Sequence, residues 1–182
     1  MFTGIIEYVA KDFKIVGNTL EIKLPISCNV GDSVSVNGIC LTVKEVKEDV
    51  CYFDLGYETI GKTNIKKAKY LNIERALKIG DRLNGHFVLG HVDGVVTFLG
   101  RKAMNSGILY KFSMPKENYA IKRKGSISLN GISLTIANVS LDSFEVQVIT
   151  FTNENTNLKY LKTGDIVNYE IDVFARYRGG MF

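Results

Sequence analysis

Between Ser33 and Val43 apolar and polar residues alternate on both sides of a single interruption. Ser33-Val-Ser-Val36 alternates, Asn37-Gly38 breaks the pattern, and Ile39-Cys-Leu-Thr-Val43 alternates back. A period of two is that of a strand with one buried face. Asn-Gly suits a two-residue type I′ turn, because both central residues need positive φ. The segment predicts a tight hairpin. Its core face carries Val34, Val36, Ile39, Leu41 and Val43, and its opposite face carries Ser33, Ser35, Cys40 and Thr42. The pattern recurs at Ser126–Leu129, Asn130-Gly131 and Ile132–Ile136, with Ser126, Ser128, Ser133 and Thr135 on the polar face. A face meant only for water usually mixes in Lys and Glu. These two faces hold small uncharged groups alone, which reads either as ordinary β-propensity on an exterior or as a shelf for a flat, neutral, hydroxyl-rich ligand.

The two hairpins belong to a longer internal repeat. At an offset of 93, GDSVSVNGICLTV from Gly31 and KGSISLNGISLTI from Lys124 share seven of thirteen positions, and the same offset pairs Thr59 with Thr152 and Thr63 with Thr156. GIIEY from Gly4 resembles GVVTF from Gly94, and LNIE from Leu71 resembles VNYE from Val167. Further strands are predicted at Ile5–Val9, Leu20–Leu24, Cys51–Asp54, Tyr70–Glu74, Val95–Leu99, Leu109–Phe112, Phe144–Ile149 and Val167–Ile171. Helical periodicity is scarce, confined to Thr59–Lys66, Lys116–Ile121 and Thr152–Tyr160. About six short strands per half predict an all-β chain of two small antiparallel barrels in tandem, with domains at residues 1–86 and 87–182.

Composition narrows the function. Net charge is +4, and no basic stretch interleaved with aromatics points to nucleic acid. The cysteines Cys28, Cys40 and Cys51 are odd in number and lack metal-ligand spacing, and His86 and His91 have no third ligand cluster beside them, so neither disulfide framework nor metal site is expected. No apolar run reaches membrane-spanning length, and a cytoplasmic location is the expectation.

Where the halves diverge, chemistry appears. Cys40 aligns with Ser133, His91 in LGHVDG has no imidazole counterpart in the first half, and Asp172 after VNYEI stands opposite Ala76. A thiol, an imidazole and a carboxylate, each present once, favour an enzyme over a bivalent carrier. Each also has a plain structural reading: Cys40 as a small core residue, His91 as a structural histidine, Asp172 as a helix N-cap. Cys40 is assigned by this reading to the first half, and His91, Ser133 and Asp172 to the second.

These residues resemble the riboflavin synthase family. The opening MFTGII, the SVNGICLTV and SLNGISLTI hairpins, FDLGYET from Phe53, GHFVLGHVDG from Gly85 and NYEIDVFARY from Asn168 are similar to its signatures over nearly the whole chain. The resemblance implies two six-stranded Greek-key barrels with a C-terminal helix, and a homotrimer in which a first barrel faces a second barrel of a neighbour. It implies transfer of a four-carbon unit between two 6,7-dimethyl-8-ribityllumazine molecules without a cofactor, and lumazine synthase as a partner. Ligand contacts implied by position are Gly4, Ile5 and Ile6; Cys40, Leu41 and Thr42; Asp54, Leu55, Gly56, Tyr57, Glu58 and Thr59; Gly90, His91 and Val92; Lys124; Ser133, Leu134 and Thr135; and Ile149, Thr150, Phe151, Thr152, Asn153 and Glu154. Catalytic roles fall on Phe2, Ser33, Cys40, His91, Ser133, Thr135 and Asp172. Relatives that bind a lumazine or flavin without turnover, as optical proteins, are the alternative. The chain departs from the family in two places: Thr150 replaces a common proline, and the tail after Asp172 is short, ending in Gly179-Gly180 and Phe182, which leaves the trimer weakly held.

Overall fold

The computed structural model describes residues 1–179; positions 180–182 of the expected tail lie outside them. Thirteen strands build two barrels. The first half contains β1 (Tyr8–Ala10), β2 (Phe13–Val16), β3 (Thr19–Lys23), β4 (Ser33–Val36), β5 (Ile39–Lys47), β6 (Val50–Asp54), helix α1 (Tyr57–Lys62) and β7 (Leu71–Arg75). The second contains β8 (Gly94–Met104), β9 (Gly107–Ser113), β10 (Ser126–Leu129), β11 (Ile132–Val139), β12 (Ser143–Val148), α2 (Thr150–Glu154), β13 (Ile166–Ile171) and the terminal helix α3 (Val173–Gly179). Strand order is β10-β11-β12-β9-β8-β13 in the closed second barrel and β1-β7-β4-β5-β6-β3-β2 in the first. The first copy has the same six-stranded plan, with β1 and β2 as the two parts of the strand that runs unbroken in the second copy as β8. Lys11-Asp12 interrupts it, whereas β8 absorbs its bend as a bulge between Phe98 and Gly100.

Both Asn-Gly hairpins form with the expected register. Asn37 and Asn130 take φ of 49° and 46°, and Gly38 and Gly131 take 79°. Val36 pairs with Ile39 and Leu129 with Ile132 across the turns. The alternating apolar faces fill two separate cores: Leu20, Val34, Val36, Phe53 and Ile73 in the first, and a more aromatic set with Phe98, Tyr110, Phe112 and Phe144 in the second. The expected strands differ from the observed ones in two respects. Phe13–Val16 also forms a strand, closing a Gly17-Asn18 hairpin onto β3. The strand expected at Ile5–Val9 begins only at Tyr8, because residues before it leave their own barrel and lie across the other.

Strands β7 and β13 explain how the barrels dock. Leu71–Glu74 and Val167–Ile171 are buried continuously, since one face meets the barrel core and the other meets the opposite half. Six buried asparagines line that second face in three repeat-related pairs. Asn37 Oδ1 accepts from Asn72 N (2.7 Å) and Asn157 Nδ2 (3.0 Å); Asn130 Oδ1 accepts from Asn168 N (2.9 Å) and Asn64 Nδ2 (2.9 Å). Asn72 Oδ1 takes the Asn157 N–H at 2.8 Å, and Asn168 Oδ1 takes that of Asn64 at 2.7 Å. Asn72 and Asn168 each donate a 2.9 Å bond to a backbone carbonyl of the other barrel's hairpin, Asn130 and Asn37. The hairpin tips touch: a Cβ on Gly38 would sit 2.8 Å from Gly131 N, and the converse holds at the same distance.

Asn72→Ala removes bonds on both sides of this seam and strands the buried Asn157 N–H. The expected loss is about 2–4 kcal/mol of unfolding free energy, read from urea denaturation, with the single transition of the wild type splitting as the barrels uncouple. A loss below about 1 kcal/mol would show that water or repacking satisfies the stranded groups.

Candidate functional site

The same seam creates two pseudo-equivalent sites by exchanging short segments between the barrels. Residues 1–6 run beside residues 85–88. Phe2 and Val88 exchange backbone bonds of 2.7 and 3.1 Å, and His86 N donates to Thr3 O. Gly4 O then accepts the Ser133 N–H of β11 (2.8 Å), and Ile6 packs on the second core. In the other half, Gly90 O accepts the Cys40 N–H of β5 (2.9 Å), and Val92 packs on the first core. Gly4 and Gly90 turn at φ of 79° and 81°. A Cβ on Gly4 would lie 2.5 Å from Ser133 N, and one on Gly90 would lie 2.5 Å from Cys40 Cβ. Only glycine permits both the turn and the approach.

Each strap is gripped by a buried carboxylate. Glu74 of β7 accepts from Thr3 N (2.7 Å), Thr3 Oγ1 (2.8 Å) and Gly4 N (3.0 Å). Glu170 of β13 accepts from Leu89 N (2.7 Å), Gly90 N (2.9 Å) and His91 N (2.9 Å). Burial pushes both pKa values up, and the amide donors oppose that rise.

The strap exchange regroups the residues expected to act. His91, assigned to the second half by sequence, is seated through Gly90 on Cys40 of the first barrel. The first site thus holds Cys40 (half-buried), Thr42 (exposed) and the exposed His91, with Ser33 paired across from Thr42. The second holds Ser133 (half-buried), Thr135 (exposed) and the Gly4–Ile6 strap. His91 and Thr135 sit on different barrels. One residue of the expected polar shelf in each half turns out to be interior: Ser35 and Ser128 are each 1 % exposed, and Ser35 Oγ faces Gly131 of the other hairpin. The hairpin tips are used for docking, and only Ser33, Cys40, Thr42 and their counterparts Ser126, Ser133, Thr135 remain open.

Other expected residues divide by side-chain direction. Phe2 is fully buried and anchors the first strap through its backbone bonds to Val88. Leu41, Leu55 and Leu134 are core side chains, so only their backbone faces outward. Asp54 is exposed and paired with Lys44, and Glu58 is paired with Lys62. Gly56, Tyr57 and Thr59 form the start of α1, with Tyr57 fully presented to solvent. Thr150 and Thr152 lie in α2, and Phe151 in the helix and Ile149 at its N-cap are exposed. Asn153 accepts the Tyr110 hydroxyl at 2.6 Å, and Glu154 is exposed. Lys124 is exposed at a positive-φ turn before β10. Asp172 caps α3: its Oδ1 accepts from Phe174 N at 2.9 Å.

His86, considered in sequence only as a metal ligand, is a site residue. Its Nδ1 lies 2.7 Å from Ser133 Oγ. Burial lowers its pKa, and the nearby Asp172 charge opposes that shift. The second site therefore sets a hydroxyl against an imidazole whose protonated form burial disfavours, close enough to exchange a proton with it, while the first holds a half-buried thiol and a solvent-exposed imidazole.

Because the folded His86 pKa lies below its unfolded value of about 6.5, the unfolded chain binds this proton first. Stability is then lost as pH falls below about 6.5 and towards the folded pKa. In His86→Gln the fall of Tm between roughly pH 7 and pH 5 should be shallower than in wild type; parallel curves would show that the ring is protonated freely in the fold.

The family model for the lumazine binding domain matches twice, at residues 3–76 and 89–172, the two barrels described above. The chain is 38% identical to riboflavin synthase of Chlamydia muridarum over 97% of its length and 92% of the relative's. It is 36% identical to that of Mycobacterium tuberculosis (97% and 96% covered) and 35% identical to that of Actinobacillus pleuropneumoniae (97% and 87%). Among solved structures it is similar to LumP complexed with 6,7-dimethyl-8-(1'-D-ribityl) lumazine, at 26% identity and a TM-score of 0.81 over 93% of this chain and 98% of that one. It is also similar to LumP complexed with riboflavin, at 27% identity and 0.82 over 94% and 99%. With two matched domains and relatives aligned almost end to end, the chain belongs to the riboflavin synthase family of transferases.

Proposed function

We propose that the chain converts two molecules of 6,7-dimethyl-8-ribityllumazine into riboflavin and 5-amino-6-ribitylaminopyrimidinedione. One lumazine gives a four-carbon unit to the other. The two products together contain all the atoms of the two substrates, so no external oxidant or cofactor is required. The observation that carries the reading is the pair of near-identical sites with different reactive groups. The repeat supplies the same shelf twice, suited to two copies of one ligand, while Cys40 with His91 and Ser133 with His86 make the two ends chemically unequal. A donor and an acceptor need that inequality.

The substrate's C7 methyl is acidic, so the protein's main tasks are to stack two lumazines and to assist proton transfers. Well-oriented encounter contributes up to about 7–11 kcal/mol in favourable cases. His91, exposed on the first site, is assigned to proton transfer at that methyl, since an imidazole can both accept and donate a proton, with Thr135 approaching from the facing second site. Cys40, Ser33 and Ser133 orient the ligands, and Asp172 sets α3 and the field at His86. His91 and Thr135 occupy different barrels, and the reading brings them together by setting the first site of one chain against the second site of another, in a trimer of the kind the family resemblance implies. A second reading, binding of a lumazine or flavin without turnover, draws on the LumP likeness. Mixing purified protein with the lumazine and following riboflavin absorbance decides between them: absorbance that never rises leaves only the binding protein.

His91→Ala should lower turnover by at least about tenfold more than it weakens lumazine binding, because a proton-transfer group acts mainly in the transition state; equal losses would make it a binding residue. Mixed chains test the facing arrangement. Cys40→Ala and His91→Ala damage the same site, so their mixture should stay inactive. His91→Ala and Ser133→Ala damage different sites, so their mixture should regain activity after subunit exchange. The reverse pattern would overturn the pairing of chains.

A further inference from the structure

We propose that Glu170 is the positioning residue that seats the His91 strap on Cys40, and that Glu74 does the same for the Gly4–Ile6 strap on Ser133. Neither carboxylate touches the open face of its site. Each is nearly inaccessible, at 2 % and 4 % exposure, and each is committed to three donors of one strap. The left-handed glycine in the strap turns successive N–H groups towards one point, a concavity that favours an anion. A buried carboxylate is a costly way to hold a loop, and the chain does it twice, at repeat-related positions of β7 and β13.

The direction of the grip gives it a functional consequence. Glu170 belongs to the second barrel, but the strap it holds ends on the first, where Gly90 O meets Cys40 N. Glu74 belongs to the first barrel, but its strap ends at Ser133 on the second. Each site is therefore completed by a segment that the opposite barrel orients. A neutral amide at position 170 would turn an –NH2 towards the amides of Leu89, Gly90 or His91, and the imidazole would lose its fixed origin. Glu7, by contrast, pairs with Arg75 at the protein surface and grips no strap.

The inference rests on the proposed reaction for its effect on turnover, but not for its effect on the straps. In full-length Glu170→Gln, hydrogen exchange of the peptide spanning residues 88–93 should quicken by at least about tenfold, while that of residues 2–6 stays as in wild type. Glu74→Gln should give the opposite pattern. In riboflavin formation, Glu170→Gln should lose at least about tenfold in kcat, with Glu170→Asp recovering part of it. Mixed with Ser133→Ala, Glu170→Gln should regain activity; mixed with His91→Ala, it should not, because both lesions lie in one site. A residue that only stabilised the fold would quicken exchange in both straps and show no such pairing. Unchanged exchange at 88–93, or full turnover in Glu170→Gln, overturns the proposal. If Glu170→Gln does not fold, Glu170→Asp is judged on the same two peptides. Wild type that forms no riboflavin sinks the proposed reaction, and the exchange data still judge the straps.

Discussion

Satisfying backbone hydrogen bonds at a buried seam is the constraint on which this molecule depends. Two barrels that meet through their hairpin tips and the outer faces of β7 and β13 must bury strand edges, turn carbonyls and the N–H groups of loops. Left unpaired, such groups cost about 1–3 kcal/mol each. Six asparagines and two glutamates answer this need. Asparagine carries both a carbonyl and an amide, so one side chain can receive an N–H from one barrel and donate to a carbonyl of the other. Asn72 and Asn168 do this in mirrored fashion. The docking is thus polar and directional, and it fixes the relative position of the halves more sharply than an apolar contact of equal area.

The glutamates extend the same logic from docking to the sites. Glu74 and Glu170 use the seam as a lever, holding segments that reach over it. A duplicated domain that kept its opening segment at home would have two independent binding faces. Here each face is composite, completed by a segment that the opposite barrel holds. The chemical contrast arises on this symmetric frame through few changes: a thiol against a hydroxyl at Cys40 and Ser133, an exposed imidazole at His91 on one side and a half-buried one at His86 on the other.

Much of the fold was legible because its signals are local. Asn37-Gly38 and Asn130-Gly131 demand positive φ at adjacent residues, which few turns satisfy, and the alternation beside them sets register, core face and strand length together. The repeat doubled that evidence. The strand at Phe13–Val16 was less legible, being a short segment cut off from Tyr8–Ala10 by Lys11-Asp12. The open residues Cys40, Thr42, Ser133 and Thr135 followed from alternation, but Ser35 and Ser128 did not behave like their neighbours. Parity along a strand tells which face a side chain takes and not what covers that face.

By itself, then, the sequence determined two barrels, their hairpins, their cores and the positions at which the two halves carry different reactive groups. The tertiary structure alone decided which of those positions meet. Linear order places His91 in the second half and Phe2 in the first. Contact places His91 beside Cys40, buries Phe2 against Val88, and brings His86 to Ser133. The repeated carboxylates in LNIE and VNYE were visible as a motif, yet nothing in the chain order says that each grips amides of the strap bound for the opposite barrel. Strand patterns encode short-range geometry, one residue to the next. The crossing of the straps is set by hydrogen bonds between residues about 70–80 apart, a distance over which periodicity carries no information.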